Sequence, residues 1–405
     1  MNFNKDRSVA PPTRTDTCTP LSSTTQPVST MLNVLQQQIM QKEGWLPFDE
    51  YMNIVLYTPG LGYYANTQRK FGRQAADGSD FVTAPELSPL FAENIAFQLA
   101  DTLIAEALFR LLEFGAGSGQ LAAHILLTLN TLGVPLEQYA IIELSGTLRI
   151  AQETTIRQVL CDRPDLFNKV VWLDTLPHHF AGIMLGNEVL DAMPITLYAR
   201  QQGHWFERGV SWDNKTQALI WKDRPLRTSL PHVLTHISGD HNYVTEVHEQ
   251  AHAFIRSLVH ALEKGLILLI DYGFPAAEYY HPQRHQGTLM AHFRHQSSTD
   301  PFFNPGQSDL TAHVNFSGIA QAAIEAGATL FGYTNQARFL LNGGLLKQLI
   351  QIDPSDPAHY LPASKAVQHL VSEAEMGELF KVIAFGKKIS TTLSGFTPSD
   401  RSHTL

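Results

Sequence analysis

Three glycines at alternate positions, Gly115, Gly117 and Gly119, interrupt an apolar run that ends at Phe114 and resumes as an amphipathic pattern through 126. A strand that feeds a helix through such a turn brings backbone N–H groups close to a ligand, with no side chain in the way. Three ligand classes use a turn of this kind. A phosphate-binding loop ends in Gly-Lys-Ser or Gly-Lys-Thr, which Gly119-Gln120-Leu121 does not match. A dinucleotide fingerprint spaces its third glycine one residue later than Gly119 stands. S-adenosylmethionine sites pass an amino-acid group and no phosphate, and commonly carry an acid at the strand end, where Glu113 stands. Glu143 closes the next apolar run, 24 residues after Gly119. A carboxylate there can accept from both ribose hydroxyls, of NAD and S-adenosylmethionine alike. Asp174 follows the third run and can face an adenine edge.

A second group stands in "GNEVLDAMP", 186–194, after a fourth apolar run. Ligands of doubly wound sheets sit outside the carboxyl ends of the strands, near the point where strand order reverses. Asn187, Glu188 and Asp191 therefore fall where a transferred group would meet its acceptor. The plain alternative is an acidic helix start, favoured by the helix dipole. His281, His285, His292, His295 and His313 make no metal signature, because no carboxylate or cysteine completes a ligand set. They read as hydrogen-bonded or surface residues, with no metal. No G-x-S-x-G elbow is present, and the backbone of Ser118 counts for more than its hydroxyl.

The elements that must hold these residues are legible as alternating patterns. Runs at 109–114, 139–144, 170–173, 182–187 and 265–273 are short and nearly continuously apolar. Such runs suit strands buried on both faces of a parallel sheet, and helical patterns separate most of them. Runs at 328–334 and 380–388 bring the strands to seven, in a doubly wound α/β domain spanning 108–192 and 263–390. Residues 31–107 form a helical region. Met31, Leu32, Leu35, Ile39 and Met40 make one stripe closed by Gly44, a helix follows from Pro47, and Ser88-Pro89 starts another. The alternation stops over 193–262, which reads as an inserted lobe with a hairpin at Gln202-Gly203 and a helical stretch over 243–262. Residues 1–30, rich in Ser, Thr and Pro, read as a disordered tail, and 391–405 as a flexible one.

Composition narrows the partners. Lys plus Arg is 29 against 38 for Asp plus Glu, a formal charge of −9, so no basic field draws nucleic acid or an anionic membrane. No run reaches the roughly 18 apolar residues of a membrane span, and the first 30 residues lack the apolar core of a signal peptide. Cys18 and Cys161 support no disulfide framework, which points to a reducing compartment: the cytoplasm in a bacterium, or the mitochondrial matrix in a eukaryote.

In these blocks the chain resembles the MidA-like S-adenosylmethionine-dependent methyltransferases, from about Leu46 to Lys387. The resemblance rests on "YMNIVLYTPGLGYY", "DFVTAPELSPLF", "LEFGAGSGQLA", "IIELSGTLR", "GNEVLDAMP", "LIDYGFPAAEYYHPQR", "GTLMAHFRH", "DPFFNPGQSDLTAHVNF" and "EMGELFKVIAFGK" in that order. It implies a seven-stranded Rossmann-like class I methyltransferase sheet with its last strand antiparallel, S-adenosyl-L-methionine as cofactor, and a protein substrate. Mitochondrial members of the family are assembly factors that methylate an arginine of a respiratory complex I subunit. Matching motifs make Gly115, Gly117, Glu143, Asn187 and Glu188 cofactor residues. Thr83, Ala84, Pro85 and Glu86 would help close the site. Ser79 departs from the family by separating Gly78 from Asp80. An arginine acceptor needs carboxylates to orient its guanidinium. Glu188 and Asp191 are the candidates, with Tyr272 or His313 lining the acceptor side and the histidine-rich 278–314 covering it. An NAD-dependent oxidoreductase and a non-catalytic assembly factor share the fold and stay open.

Overall fold

A computed structural model describes residues 30–66, 70 and 83–405. The expected disordered tail, apart from Thr30, and the loop around Gly78, Ser79 and Asp80 lie outside the described residues. Helix α1 (Met31–Gln41) starts where the Thr30 hydroxyl accepts from Asn33 N–H, and buries Met31, Leu35 and Ile39. Leu32 and Met40, read as part of the same stripe, face solvent. Helix α2 (Phe48–Tyr57) follows, and α3 (Pro89–Ala105) begins at Ser88, whose Oγ accepts from Leu90 N–H.

The central sheet contains β1 (Arg110–Phe114), β2 (Gln138–Ile142), β3 (Val170–Leu173), β4 (Phe180–Asn187), β5 (Leu262–Phe274), β6 (Thr329–Asn335) and β7 (Phe380–Lys387). Their order across the sheet is β3-β2-β1-β4-β5-β7-β6. All neighbours from β3 to β5 pair in parallel, and β7 runs antiparallel to both β5 and β6. The last strand is thus the antiparallel one. Strand order reverses between β1 and β4, which defines the switch point.

The continuous apolar runs follow from burial on both faces. Leu111, Ile141, Ile183, Leu185 and Leu268 pack with α3 and with α4 (Gln120–Thr131). Leu112, Ala140, Met184, Ile267 and Leu269 pack on the opposite face. There they meet α6 (Glu249–Ala261) and α7 (Phe316–Glu325); α5 (Gly146–Val159) flanks β2 and β3. Successive side chains of a strand alternate faces, and here each face meets helices. Most strand positions are therefore apolar, with Glu113 and Asp271 as buried exceptions near the carboxyl ends.

The lobe differs from its expected extent. The strand Tyr243–Val247 closes it, where a helical stretch was expected to begin, and α6 belongs to the central core. The hairpin at Gln202-Gly203 is present, both residues having positive φ between antiparallel strands. The lobe sheet takes in Leu46–Pro47 as an edge strand. Its core combines Phe48, Tyr51, Met52, Ile195, Leu197 and Val210 with Ala291 and Leu310 of a small sheet (Met290–Phe293, Gln296–Ser298, Asp309–Thr311). Buried Glu246 ties these parts: its carboxylate accepts from Thr288 N–H at 2.6 Å, Leu289 N–H at 3.0 Å and the Tyr279 hydroxyl at 2.9 Å.

Residues 391–405, expected to be flexible, instead pack on the body. Leu393 and Phe396 are buried, the Phe396 ring stands 5.1 Å from that of Phe339, Tyr333 N–H donates to Asp400 Oδ1, and Tyr333 O accepts from Arg401 N–H. Two apolar anchors in a polar stretch were too sparse for a periodic signal. Truncating Phe396 to Ala should cost about 3–5 kcal/mol of unfolding free energy, read by denaturant titration. A loose tail would leave the midpoint where it is.

Candidate functional site

A cavity of about 1330 Å³ opens at the carboxyl ends of β1 to β5. Its floor is the sheet end. Its cover comes from α2, Tyr64, the small sheet and the segment 284–292. All the sequence-predicted site residues but Ala84 and Gly119 line it, and Gly119 begins α4 at the end of the same turn.

Gly115, Gly117 and Gly119 all have positive φ, at 60°, 53° and 89°. A Cβ on Gly119 would stand 3.1 Å from the backbone of Gln152, so the turn must be bare to let α4 and α5 approach. Glu113 is buried behind the turn, accepting from the Tyr139 hydroxyl at 2.7 Å, and burial holds its carboxyl up at about 7. Glu143 sits at the end of β2 with Oε1 accepting from Ser145 N–H and Oε2 from Gln152 Nε2, both at 2.9 Å. Burial raises its pKa. Each carboxylate oxygen keeps a second lone pair, so Glu143 can still accept from a diol. Asp174 is 86% exposed at the rim and paired with Arg149 at 2.8 Å. The Ser118 hydroxyl, given little weight in the sequence, bonds Glu86 and joins the turn to the segment 83–87.

At the switch point the chain leaves β4 under tension. Glu188 has φ 53°, uncommon for a residue with a Cβ. Its N–H donates to Ile270 O at 2.8 Å, continuing the sheet ladder. The next three N–H groups, of Val189, Leu190 and Asp191, all donate to Oδ2 of Asp271, at 3.1, 2.8 and 3.3 Å. Oδ1 of Asp271 accepts from Tyr272 N–H at 2.9 Å. A fully buried carboxylate thus collects four backbone donors and compels the turn that presents Glu188 and Asp191. The cover grips the same turn, since Asp191 O accepts from Ala312 N–H and Ala192 O from the Tyr57 hydroxyl, both at 3.0 Å. Asp271, Tyr57 and Tyr64 were missed in the sequence. Only the acid within the apolar run "LILLIDYG" signalled the first.

Around this turn the cavity is acidic and aromatic. Burial pushes the Glu188 carboxyl up to about 8, with the Asp191 charge adding to it; Asn187 Nδ2, donating at 3.0 Å, opposes the rise. Asp191 is raised too by burial, against the Tyr272 hydroxyl. Asp309 accepts from the Tyr64 hydroxyl at 3.0 Å, and the Tyr57 and Tyr64 rings stack at 5.6 Å. Asn187 Oδ1 and Asp191 Oδ1 are buried without a partner among the described residues. Buried acceptors are seldom left so, and both point to a ligand carrying N–H donors. His313 lies between Tyr272 and Phe274, ring centroids 5.3 and 5.2 Å away, and burial lowers it to about 4, so it is neutral. Among the described residues no group of three or more His, Cys, Asp or Glu could hold a metal. No helix among them is long and apolar enough to cross a membrane.

The cavity fits S-adenosylmethionine on its own chemistry. The glycine turn offers no basic side chain for a phosphate, Glu143 can take a ribose, and Asn187 Oδ1 is free to take an ammonium. The acidic turn carries a stability prediction. Glu188 titrates near 4.5 when unfolded and near 8 when folded, so its folded form binds the proton more tightly. That advantage is complete below 4.5 and is lost as pH rises to 8. Glu188→Gln should therefore gain thermal stability over the parent progressively between pH 5 and 8.5. A melting-temperature difference that stays flat across this range would contradict it.

Comparison with known proteins agrees with this chemistry. Residues 94–334 match the model of a family described as "Putative S-adenosyl-L-methionine-dependent methyltransferase". A crystal structure from Burkholderia thailandensis bound to S-adenosyl-homocysteine is 53% identical, with a TM-score of 0.89, and the match covers 93% of this chain and 96% of that one. "Protein arginine methyltransferase NDUFAF7, mitochondrial" of Homo sapiens is 28% identical over 389 residues, 88% of this chain and 83% of the relative. Its Drosophila melanogaster homologue is also 28% identical, over 84% of this chain and 81% of its own. With a family match over more than half of its residues, a main sheet path of seven strands and a glycine turn without a phosphate-binding lysine, this chain belongs to the S-adenosyl-L-methionine-dependent methyltransferase family.

Proposed function

We propose that the cavity methylates an arginine side chain of a protein. One observation carries the reading: Glu188, Asp191 and Asp309 are gathered beside stacked Tyr57 and Tyr64, where burial raises the proton affinity of Glu188 and Asp191. Such a site binds a cation far better than a neutral acceptor, because the incoming charge lets the acids ionise. A guanidinium is planar, with donors that match paired carboxylates and a face that stacks on rings. The names of the mitochondrial relatives support the choice. By family resemblance, a respiratory complex I subunit is the first acceptor to try; in a bacterium the reaction would be cytoplasmic.

Bound S-adenosylmethionine supplies an electrophilic methyl on a positively charged sulfur. Glu143 would hold its ribose, the Gly115–Gly119 turn its amino-acid part, and Asn187 Oδ1 its ammonium, with Glu113 and Asp174 framing the two ends. Thr83, Pro85 and Glu86 would close that half of the cavity from water. Glu188 and Asp191 would orient the guanidinium, so that much of the acceleration is positioning. A guanidinium gains one methyl and loses one proton overall. Their raised affinities for a proton let these two acids receive it.

Calorimetric titration with S-adenosylmethionine, S-adenosylhomocysteine and NADH, followed by transfer to arginine peptides, tests the scheme. The sulfur ligands should bind and NADH should not. Glu143→Ala should weaken S-adenosylhomocysteine by about 10- to 100-fold through lost charge-assisted bonds. Glu188→Gln should abolish transfer while keeping that ligand. NADH binding alone would favour an oxidoreductase, and ligand binding without transfer a non-catalytic assembly factor.

Two kinetic outcomes follow from the same turn. Binding the cation must expel the Glu188 proton below pH 8, so kcat/KM should climb with pH and level off near 8. An isosteric Asp271→Asn leaves one acceptor oxygen where two served four N–H groups and sets an amide donor against one side of the turn, and should cut kcat by at least tenfold with S-adenosylhomocysteine affinity kept. A kcat that survives this change would remove Asp271 from the mechanism.

A further inference from the structure

Arg284 lines the same cavity, and its guanidinium lies over the Phe274 ring at 3.8 Å from the centroid. Arg200, Arg208 and Arg224 also lie over aromatic rings, but their N–H groups are committed: to three backbone carbonyls, to Asp223 and to Glu207. Arg284 meets no carboxylate and donates no side-chain hydrogen bond among the described residues. Its backbone is held, since Arg284 N–H donates to His281 O and Arg284 O accepts from Gly287 N–H. Lys381 faces the same ring, but its ammonium is taken up by Glu378 and the backbone carbonyls of Glu378 and Leu379. Among the described residues, a cavity otherwise built for a cation therefore has one uncommitted guanidinium in its wall, set over a ring.

Its place is on the acceptor side. Phe274 stands 5.2 Å from His313, His313 stands 5.3 Å from Tyr272, and Tyr272 faces Asp191. Those steps put the Arg284 guanidinium within about 14 Å of the Tyr272 ring, a span of roughly four residues of extended chain at ~3.3 Å each.

Resting on the reading of this cavity as an arginine-methylating site, we infer that Arg284 binds a carboxylate of the substrate segment, so that preferred acceptors carry an acidic residue within about four positions of the methylated arginine. A planar fork laid on a ring is ready for bidentate capture of a carboxylate. The acceptor is thereby selected as a pair of opposite charges, and a bare polybasic segment is disfavoured.

The test uses the full chain and peptides of one sequence with a single arginine and Glu, Gln or Lys about three residues away. The parent should show a kcat/KM for the Glu peptide about tenfold above that for the Gln peptide. Arg284→Ala should bring that ratio close to unity, and Arg284→Glu should make the Lys peptide the better substrate. S-adenosylhomocysteine titration reports that each variant is folded. Equal kcat/KM on all three peptides, or a Glu preference that survives Arg284→Ala, overturns the inference and leaves arginine methylation standing. No transfer to any peptide by a parent that binds S-adenosylhomocysteine overturns the arginine reading, and the inference falls with it.

Discussion

The site depends on one carboxylate that has no place to meet substrate. Asp271 lies at the end of β5, wholly buried, and gathers the N–H groups of three successive residues on a single oxygen. Without an acceptor there, those donors would be buried and unpaired as the chain turns out of β4, each at a cost of about 1–3 kcal/mol. With it, the chain can adopt the positive φ at Glu188 and turn two acids into the cavity. A sheet ladder alone cannot do this, because it satisfies donors only while the strand continues.

Burial then sets a conflict that the fold tolerates. Glu188, Asp191 and Asp271 stand close together away from water; burial raises the proton affinity of all three, Asp191 adds to it at Glu188, and both add to it at Asp271. Apolar side chains would be more stable there. In the proposed function the acids meet an arriving cation, in keeping with the general link between strain, raised pKa values and function. The central strands show the opposite character. Leu111, Leu112, Ile183 and Met184 fill both faces of the sheet without a polar atom, so the site is mounted on its least compliant part.

The sheet was legible because two-face burial writes itself as unbroken apolar runs, and the glycine turn because only glycine fits the three positive-φ positions. Glu143, Asn187, Glu188 and Asp191 were legible as acids or amides at strand ends. What failed to show was what depends on distant contact. Asp271 looks like the end of an apolar run, and its partners lie 80 to 82 residues away. Tyr57 and Tyr64 read as part of a loop-side motif until the cover folds them over the turn. The helix Glu249–Ala261 follows the lobe directly, so its pattern gave no sign that its apolar face belongs to the central core.

The cover explains why the acids can remain unpaired. It is assembled from α2, the lobe-supported small sheet and the segment pinned by Glu246, and it meets the turn through Tyr57 and the backbone of Ala312. Water that could solvate Glu188 and Asp191 is restricted by these contacts, and burial raises the affinity of both acids for a proton, so that Glu188, at about 8, holds one near neutral pH. A pair in which Glu188 keeps its proton attracts stray cations less than two carboxylates would. In the proposed reaction, a guanidinium that filled the space and stacked on the tyrosines would gain contact first and charge pairing as the Glu188 proton left. Discrimination then falls on shape as well as charge. A small, strongly hydrated ammonium would lose its water without filling the aromatic wall, whereas a guanidinium gives up less and gains two kinds of contact.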